Sequence, residues 1–344
     1  MNTKDFYYDL PEELIAQKPL KNRDESRLML FDRVTGKIKH ERFFNLAKYL
    51  TTDDVLVLNN TKVLPARLYG EKPKTGARVE ILLLKRISLD TWEILAKPAK
   101  RLKEDTVCEF AKGKLHMTVI EEKAEGIRIV KFSYQGVFET ILEEYGSMPL
   151  PPYIKEKLED KDRYQTVYSQ IKGSSAAPTA GLHFTEKLLQ EIADKGVQIE
   201  KITLHVGLGT FRPVKEEKIE NHIMHKEHYI IAPDVKERLN KAKKSGKNIV
   251  AVGTTTVRTL ESSSAYGQLE NEIGDTDIFI YPGFEFTFVD KLITNFHLPC
   301  STLIMMISAF SKRELVLDAY QKAIDEKYRF FSFGDAMFLG KFDF

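Results

Sequence analysis

Cysteine is nearly absent from this chain: Cys108 and Cys300 are the only two in 344 residues, far apart and without a partner motif. That scarcity excludes a disulfide framework and suits a reducing compartment. Long hydrophobic runs are missing as well. The longest strongly apolar stretch, Leu303 to Phe310, is too short to span a bilayer. Met1 to Leu10 carries Lys4, Asp5 and Asp9 and lacks the apolar core of a signal peptide. The chain is therefore expected to be cytoplasmic and without membrane attachment. No sign of charge dominates, since 52 Lys plus Arg stand against 50 Asp plus Glu, a net of +2. Any nucleic-acid partner must then be held by local patches. A Walker A lysine loop is absent and no G-x-G-x-x-G follows a strand, which argues against nucleoside triphosphates and dinucleotides.

What is present is the mix of a soluble globular protein, 42% hydrophobic and 30% charged, long enough for two domains. From about Arg67 to Phe132 the pattern is short strands with polar turns: Arg78–Leu84, Trp92–Ala96, Thr106–Phe110, Leu115–Glu121 and Ile127–Phe132. Gly113 supplies a positive φ for a hairpin turn over Ala111–Lys114. Strands at this spacing make a small β-barrel or sandwich. Elsewhere strands alternate with helices, which gives an α/β layer. Val55–Leu58, Ile202–Val206, Asn248–Val252, Asp277–Tyr281 and Leu292–Thr294 read as strands, and Pro233–Lys244 as a helix. Thr185 caps a helix through Ile192, with Phe184 stapled to Leu189, and Ser301 caps Leu303–Ala309. The expected architecture is a discontinuous α/β domain, residues 1–66 and 150–344, with an inserted β-rich domain at 67–149.

Chemistry gathers at the ends of four apolar strands. They run into Asn59-Asn60-Thr61, Gly207-Leu208-Gly209-Thr210, Gly253-Thr254-Thr255-Thr256 and Asn295-Phe296-His297. Ligands of open α/β sheets bind beyond the carboxyl ends of strands, where small polar residues let backbone amides approach. Each loop alone reads as an ordinary turn; four together point to a site. Gly253–Thr256 joins a strand to a helix start, a cradle for a carboxylate or phosphate. Arg258 and Glu261 follow at the spacing of an intrahelical ion pair.

His183, on a loop, and His205, in an apolar strand, can each act as a general base near neutral pH. His222, His225 and His228 recur every three residues beside Glu227, a spacing that scatters them over both faces of a strand, so no metal is expected. Lys97, Lys100, Arg101 and Lys103 form a basic loop that reads either as a solvated charge run or as a grip on nucleic-acid phosphates. Lys241, Lys243, Lys244 and Lys247 dress a helix end. Ser174 and Ser175 have no G-x-S-x-G setting, and Cys300 reads as an inert thiol.

Several segments together resemble one family. They are Arg23-Asp24-Glu25-Ser26-Arg27-Leu28, Pro149-Leu150-Pro151-Pro152-Tyr153-Ile154, Arg163-Tyr164-Gln165-Thr166-Val167-Tyr168 and Ala176-Ala177-Pro178-Thr179-Ala180-Gly181-Leu182-His183-Phe184-Thr185. His205-Val206-Gly207-Leu208-Gly209-Thr210-Phe211-Arg212-Pro213-Val214, Gly253-Thr254-Thr255, Thr294-Asn295-Phe296-His297-Leu298-Pro299 and Tyr328-Arg329-Phe330-Phe331 complete the set. The chain is similar, over nearly its whole length, to the S-adenosylmethionine:tRNA ribosyltransferase-isomerases of queuosine biosynthesis. The resemblance implies an α/β domain carrying an inserted β-barrel. It also implies transfer and isomerisation of the ribosyl group of S-adenosylmethionine onto 7-aminomethyl-7-deazaguanine at the tRNA wobble position, giving epoxyqueuosine and releasing adenine and methionine. S-adenosylmethionine is then a consumed substrate, and neither cofactor nor metal is needed. Asn60 and Lys62 stand where Asp and Arg are usual, Lys226 replaces Ser and Cys300 replaces Lys; a carboxylate base at position 60 is thereby excluded.

Residue chemistry then gives the expected roles. His183 or His205 is the base, with His297 third. Substrate is held by Asn59, Asn60, Thr61, Thr179, Gly207, Gly209, Thr210, Arg212, Gly253, Thr254, Thr255, Arg258 and Asn295. Within that set Gly253, Thr254 and Thr255 face the methionine carboxylate, while Gly207, Gly209, Thr210 and Arg212 face ribose and adenine. Lys97, Lys100, Arg101 and Lys103 grip tRNA, and the chain works as a monomer. The rivals are an S-adenosylmethionine-dependent RNA methyltransferase, against which the lack of an early Gly-rich strand–loop–helix counts, and a non-catalytic RNA-binding module.

Overall fold

Near-continuous apolar runs such as Val55-Leu56-Val57-Leu58 and Ile249-Val250-Ala251-Val252 belong in strands covered on both faces. In the computed structural model, which describes residues 1–156, 158–207, 214 and 216–344, both runs are buried throughout. They lie inside a sheet of nine strands among the described residues. Its spatial order is Ile273–Thr276, Glu227–Ile230, Gln198–Leu204, Asp54–Asn59, Asn248–Val252, Lys291–Asn295, Ala336–Gly340, Arg27–Asp32 and Ile38–Arg42. Gln198–Leu204, Asp54–Asn59, Asn248–Val252 and Lys291–Asn295 run parallel to one another. The flanking pairs on either side include antiparallel ones. Because the four central strands share a direction, their carboxyl ends emerge at one edge of the sheet, as the loop pattern required.

The chain divides into two compact units. The larger holds Met1–Lys62, Pro152–Ile171 and Ala177–Phe344; the smaller holds Val63–Pro151 and Lys172–Ala176. One core cluster of the larger unit packs Leu56, Leu58, Val250, Val252, Ile293 and Phe338 of the sheet against Phe184, Leu188 and Ile192. Thr185 caps the helix Glu186–Asp194 by accepting from the Leu188 amide at 3.1 Å, and Ser301 caps Thr302–Phe310 through the Ile304 amide at 3.3 Å. Pro233 opens the helix Pro233–Lys244, whose last turn carries Lys241, Lys243 and Lys244.

One strand expectation is corrected. Asp277–Tyr281 is not a strand; pairing ends at Thr276, whose hydroxyl accepts from the Ile278 amide at 3.3 Å. Phe279 and Tyr281 pack ring to ring instead, with centroids 5.0 Å apart. Their aromatic, β-prone composition therefore marks side-chain stacking, not a place in the ladder.

The smaller unit is a closed barrel of Arg67–Glu71, Arg78–Arg86, Thr91–Lys97, Val107–Phe110, Leu115–Glu122 and Ile127–Tyr134. Alternation sends Trp92, Ile94 and Ala96 inward, and likewise Leu115, Met117 and Val119. Arg67–Glu71 is the strand that periodicity misses, because Gly70 interrupts it. A Cβ there would stand 2.2 Å from the Glu109 carbonyl oxygen, so only glycine lets the neighbouring strand close the barrel. Among the described residues no helix is long and apolar enough to cross a membrane.

Candidate active site

Beyond the carboxyl ends of the central strands lies a cleft with about 880 Å³ of atom-free space, part of it open to solvent. Thr179, Val206, Gly253, Thr254, Thr255, Thr294, Asn295 and His297 line it, with Tyr153, Pro178, Leu298, Phe331 and Ser332 among the remaining walls. Gly253 has φ +87°, a conformation that glycine adopts without strain, and it turns the chain from strand into the helix Thr254–Ser263. The first amides of a helix have no intrahelical acceptor, so those of Thr254 and Thr255 are available to an anion.

His297 lines the cleft and is held from three directions. Its backbone carbonyl accepts from the Tyr8 hydroxyl, its amide donates to Tyr320 at 3.1 Å, and its Nε2 pairs with the Thr294 hydroxyl at 2.9 Å. Burial pulls its pKa down to about 3, so the ring is neutral at physiological pH.

His183 is placed differently. It stacks on Phe43 with centroids 4.9 Å apart and is absent from the cleft lining. Its Nε2 pairs with Asn295 Nδ2 at 3.0 Å and its Nδ1 with Ser26 Oγ at 2.8 Å. The orientation of the Asn295 amide follows from its partners. Nδ2 also faces the Asp335 carbonyl, an obligate acceptor, and Oδ1 receives the Thr179 hydroxyl at 3.0 Å. Nδ2 is thus the donor, His183 Nε2 the acceptor, and the His183 proton sits on Nδ1. Burial, reinforced by the cationic Arg329 and Arg23, lowers its pKa to about 3. With both nitrogens engaged, His183 does not fit the base role expected for it; it braces Asn295.

His205 lies just past the end of the strand Gln198–Leu204, not within it, and its Nδ1 pairs with Thr61 Oγ1 at 2.8 Å. Burial lowers its pKa as well. Asn59 is fully buried and joins neighbouring strands. Its Nδ2 donates to the Leu204 carbonyl at 3.0 Å and to Thr255 Oγ1 at 3.3 Å, and its Oδ1 accepts from the amides of Leu204 and Thr61. Asn60 Oδ1 accepts from Thr203 Oγ1 at 2.7 Å. Asn59, Asn60 and Thr61 therefore support the sheet edge beneath the cleft instead of lining it.

Arg258 and Glu261 do not pair. Arg258 forms an ion pair with Glu227 in which both side chains are almost wholly buried. Glu261 accepts from the amides of Thr287, Phe288 and Val289. The other Glu227 oxygen accepts from the Gly207 amide at 2.9 Å, so Arg258 acts behind the cleft. Of the neighbouring histidines, His222 pairs with Glu216 and His228 with Asp275, not with Glu227. Gly209, Thr210 and Arg212 fall outside the described residues. Lys97, Lys100, Arg101 and Lys103 are exposed in the smaller unit, at and after the strand Thr91–Lys97. Burial pushes the Cys300 thiol pKa up, away from nucleophilic use.

Tyr153, Phe331 and Ser332 line the cleft without having been singled out from sequence. Tyr153 and Ser332 share a 2.7 Å hydrogen bond. The signal was available, since Tyr153 and Phe331 lie in unusual aromatic motifs, but nothing local says which aromatic faces a ligand.

Residues 3–339 match the family described as "Queuosine biosynthesis protein". The chain belongs to that family. It is 56% identical over 340 residues to the S-adenosylmethionine:tRNA ribosyltransferase-isomerase of Clostridioides difficile, covering 98% of this chain and all of the relative. The enzyme of the same name from Caldanaerobacter subterraneus subsp. tengcongensis is 57% identical with the same coverage. The solved structure of S-adenosylmethionine tRNA ribosyltransferase from Thermotoga maritima is similar at 39% identity with a TM-score of 0.57, covering 97% of this chain and 99% of that one. Of the substrate and catalytic residues expected from sequence, Thr179, Gly253, Thr254, Thr255, Asn295 and His297 line the cleft.

Proposed function

We infer that this chain is an S-adenosylmethionine:tRNA ribosyltransferase-isomerase. It transfers and isomerises the ribosyl moiety of S-adenosylmethionine onto 7-aminomethyl-7-deazaguanine at the tRNA wobble position, and adenine and methionine leave. The full-length likeness to enzymes of that name, at 56% identity, carries this reading. The cleft supports it with an anion-ready helix start beside apolar walls and neutral imidazole. The working form is taken as a cytoplasmic monomer that uses no metal.

The donor brings its own electrophile, a sulfonium cation, so the protein has to bind, orient and move protons. The amides of Thr254 and Thr255 hold the methionine carboxylate. A neutral His297 meets the sulfonium without the repulsion a protonated ring would impose. We assign to it the proton on the carbon beside sulfur. Sulfonium and imidazole carry one positive charge between them before and after that transfer, so no new charge is created in a site that penalises charge. His205 is the candidate for keeping the attacking amine neutral. Thr179 and Asn295, braced by His183, orient ribose or adenine, and Lys97, Lys100, Arg101 and Lys103 hold tRNA phosphates while the wobble base turns out into the cleft.

Incubation with S-adenosylmethionine and tRNA bearing 7-aminomethyl-7-deazaguanine, followed by chromatography of the small products, tests this. RNA-dependent release of adenine and methionine is expected. Release of S-adenosylhomocysteine means a methyltransferase instead, and tight RNA binding without consumption of the donor means a binding module.

A further inference from the structure

Behind the cleft lie three arginines, Arg23, Arg163 and Arg329, none of which lines it. Arg23 and Arg163, with Ser26, His183, Ser332 and Phe333, line a small pocket with about 300 Å³ of atom-free space, part of it open to solvent. Arg329 is close enough to act electrostatically on His183, as Arg23 is, and Arg23 also feels Arg163. Each guanidinium is half-buried and fixed by main-chain carbonyls. Arg23 donates to the carbonyls of Gln165 at 2.8 Å and Asp162 at 2.7 Å, Arg163 to those of Lys21 at 2.9 Å and Leu20, and Arg329 to that of Lys18.

What they lack is a counter-charge. Arg67, Arg86, Arg128, Arg238, Arg258 and Arg313 each lie within 4 Å of a carboxylate. Among the described residues no carboxylate stands that close to Arg23, Arg163 or Arg329. Asp335, the acid that acts on Arg329, is occupied by the amides of Arg27 and Arg329. Asp160 and Asp162 act on Arg23 only from beyond ion-pair distance. Arg163 Nε and Arg329 Nη1 are buried with no hydrogen-bond partner among the described residues. Buried donors without partners are costly, and three pre-oriented guanidinium groups match the several oxygens of a tetrahedral anion. The cavity also adjoins the cleft, because Ser332 lines both.

We propose that Arg23, Arg163 and Arg329 form a phosphate site that grips one phosphodiester of the tRNA beside the nucleotide whose base enters the cleft. The proposal rests on the functional reading above and names its contact with the RNA backbone. That contact registers the polynucleotide relative to the S-adenosylmethionine cleft, the task phosphate contacts perform in nucleic-acid recognition generally.

Arg163→Gln is expected to weaken tRNA binding about tenfold and to lower the slope of log affinity against log salt by about 1, the change for one phosphate contact. Arg163→Lys should recover part of the affinity. Unchanged affinity and slope in a folded Arg163→Gln protein overturn the proposal. If the variant does not fold, the wild type decides. Phenylglyoxal labelling of arginine, read by peptide mass spectrometry, should be blocked at Arg23, Arg163 and Arg329 by tRNA, and more weakly by inorganic phosphate. Protection by phosphate alone identifies a site for the free ion and overturns the tRNA assignment, as does no protection by either. Adenine release without protection removes this site and leaves the function standing. Protection without adenine release keeps the site and removes the function.

Discussion

Arg258 offers a sharp test, because sequence and structure assign it different work. As a substrate ligand, its loss should raise KM and leave stability alone. As half of a buried pair, its loss should do the reverse first. Arg258→Met removes the Arg258 cation from the Glu227 carboxylate, which is 4% exposed and accepts from the Gly207 amide at 2.9 Å. Stranding one partner of a buried pair costs roughly 3–5 kcal/mol. At about 2.1 cal/mol/K of unfolding entropy per residue, a chain of 344 residues shifts by about 1.4 °C per kcal/mol, so the melting temperature should fall by roughly 4–7 °C.

The double variant Glu227→Gln, Arg258→Met removes both charges and keeps an oxygen for the Gly207 amide. Among the described residues Arg258 Nε is buried without a partner, and the second contact of the guanidinium, to the Thr276 carbonyl, is long at 3.4 Å, so the wild-type guanidinium is itself incompletely satisfied. Recovery to within about 1 kcal/mol of wild type, or above it, is therefore expected. Circular dichroism melts and urea titrations of the wild type, both singles and the double measure the coupling directly. An Arg258→Met protein that melts like the wild type, has a KM for S-adenosylmethionine raised about tenfold and is not rescued by Glu227→Gln would refute this reasoning and restore Arg258 as a ligand.

Three further outcomes follow from the same geometry. His183 and His297 stay neutral in the folded chain down to about pH 3, whereas in the unfolded chain they protonate near 6.5. The unfolded state binds more protons between those values, so stability should fall as pH drops from about 6.5 toward 3. His297→Gln should cut proton uptake on unfolding at pH 5 by about one, and urea midpoints with the same pH slope as wild type would contradict this. Gly253→Ala forces φ +87° and ψ 152° on an L-residue and meets only ordinary contacts at 3.6 Å and beyond, so backbone strain of about 1–3 kcal/mol is expected with a raised KM for S-adenosylmethionine. An unaltered KM would show that the helix start does not hold the donor. Ser301→Ala removes the cap on Thr302–Phe310 and should cost about 1 kcal/mol in denaturant titrations, with a cost under a few tenths counting against the cap.

What sequence alone revealed depended on whether the physics was local. Val55–Leu58 and Asn248–Val252 declare themselves as covered strands, Thr185 and Ser301 as caps, and Trp92–Ala96 as a half-buried barrel strand, because burial pattern and capping act over a few residues. The convergence of strand-end loops was legible for the same reason, as parallel strands share an end. The roles of single polar residues were not. Asn59, Asn60 and Thr61 end an apolar strand just as Asn295 does, yet they tie strands together while Asn295 lines the cleft. Which of the two happens is set by strand order in the sheet, where Asp54–Asn59 is flanked by Gln198–Leu204 and Asn248–Val252.

The histidines carry that lesson into the chemistry. A loop histidine before a helix cap has the look of a solvent-reachable base, and His183 occupies such a position in the chain. Its partners come from residues 157 and 112 positions away, Ser26 and Asn295, and they fix its proton on the nitrogen remote from the cleft. His297 has the same titrating group and the same lowered pKa but opens into the cleft. In the proposed mechanism the two rings take different roles, because one has both nitrogens committed within the fold and the other lines the cleft. A base is therefore recognised by which nitrogen remains available to a substrate, a property of tertiary hydrogen bonding that neither motif nor loop position encodes.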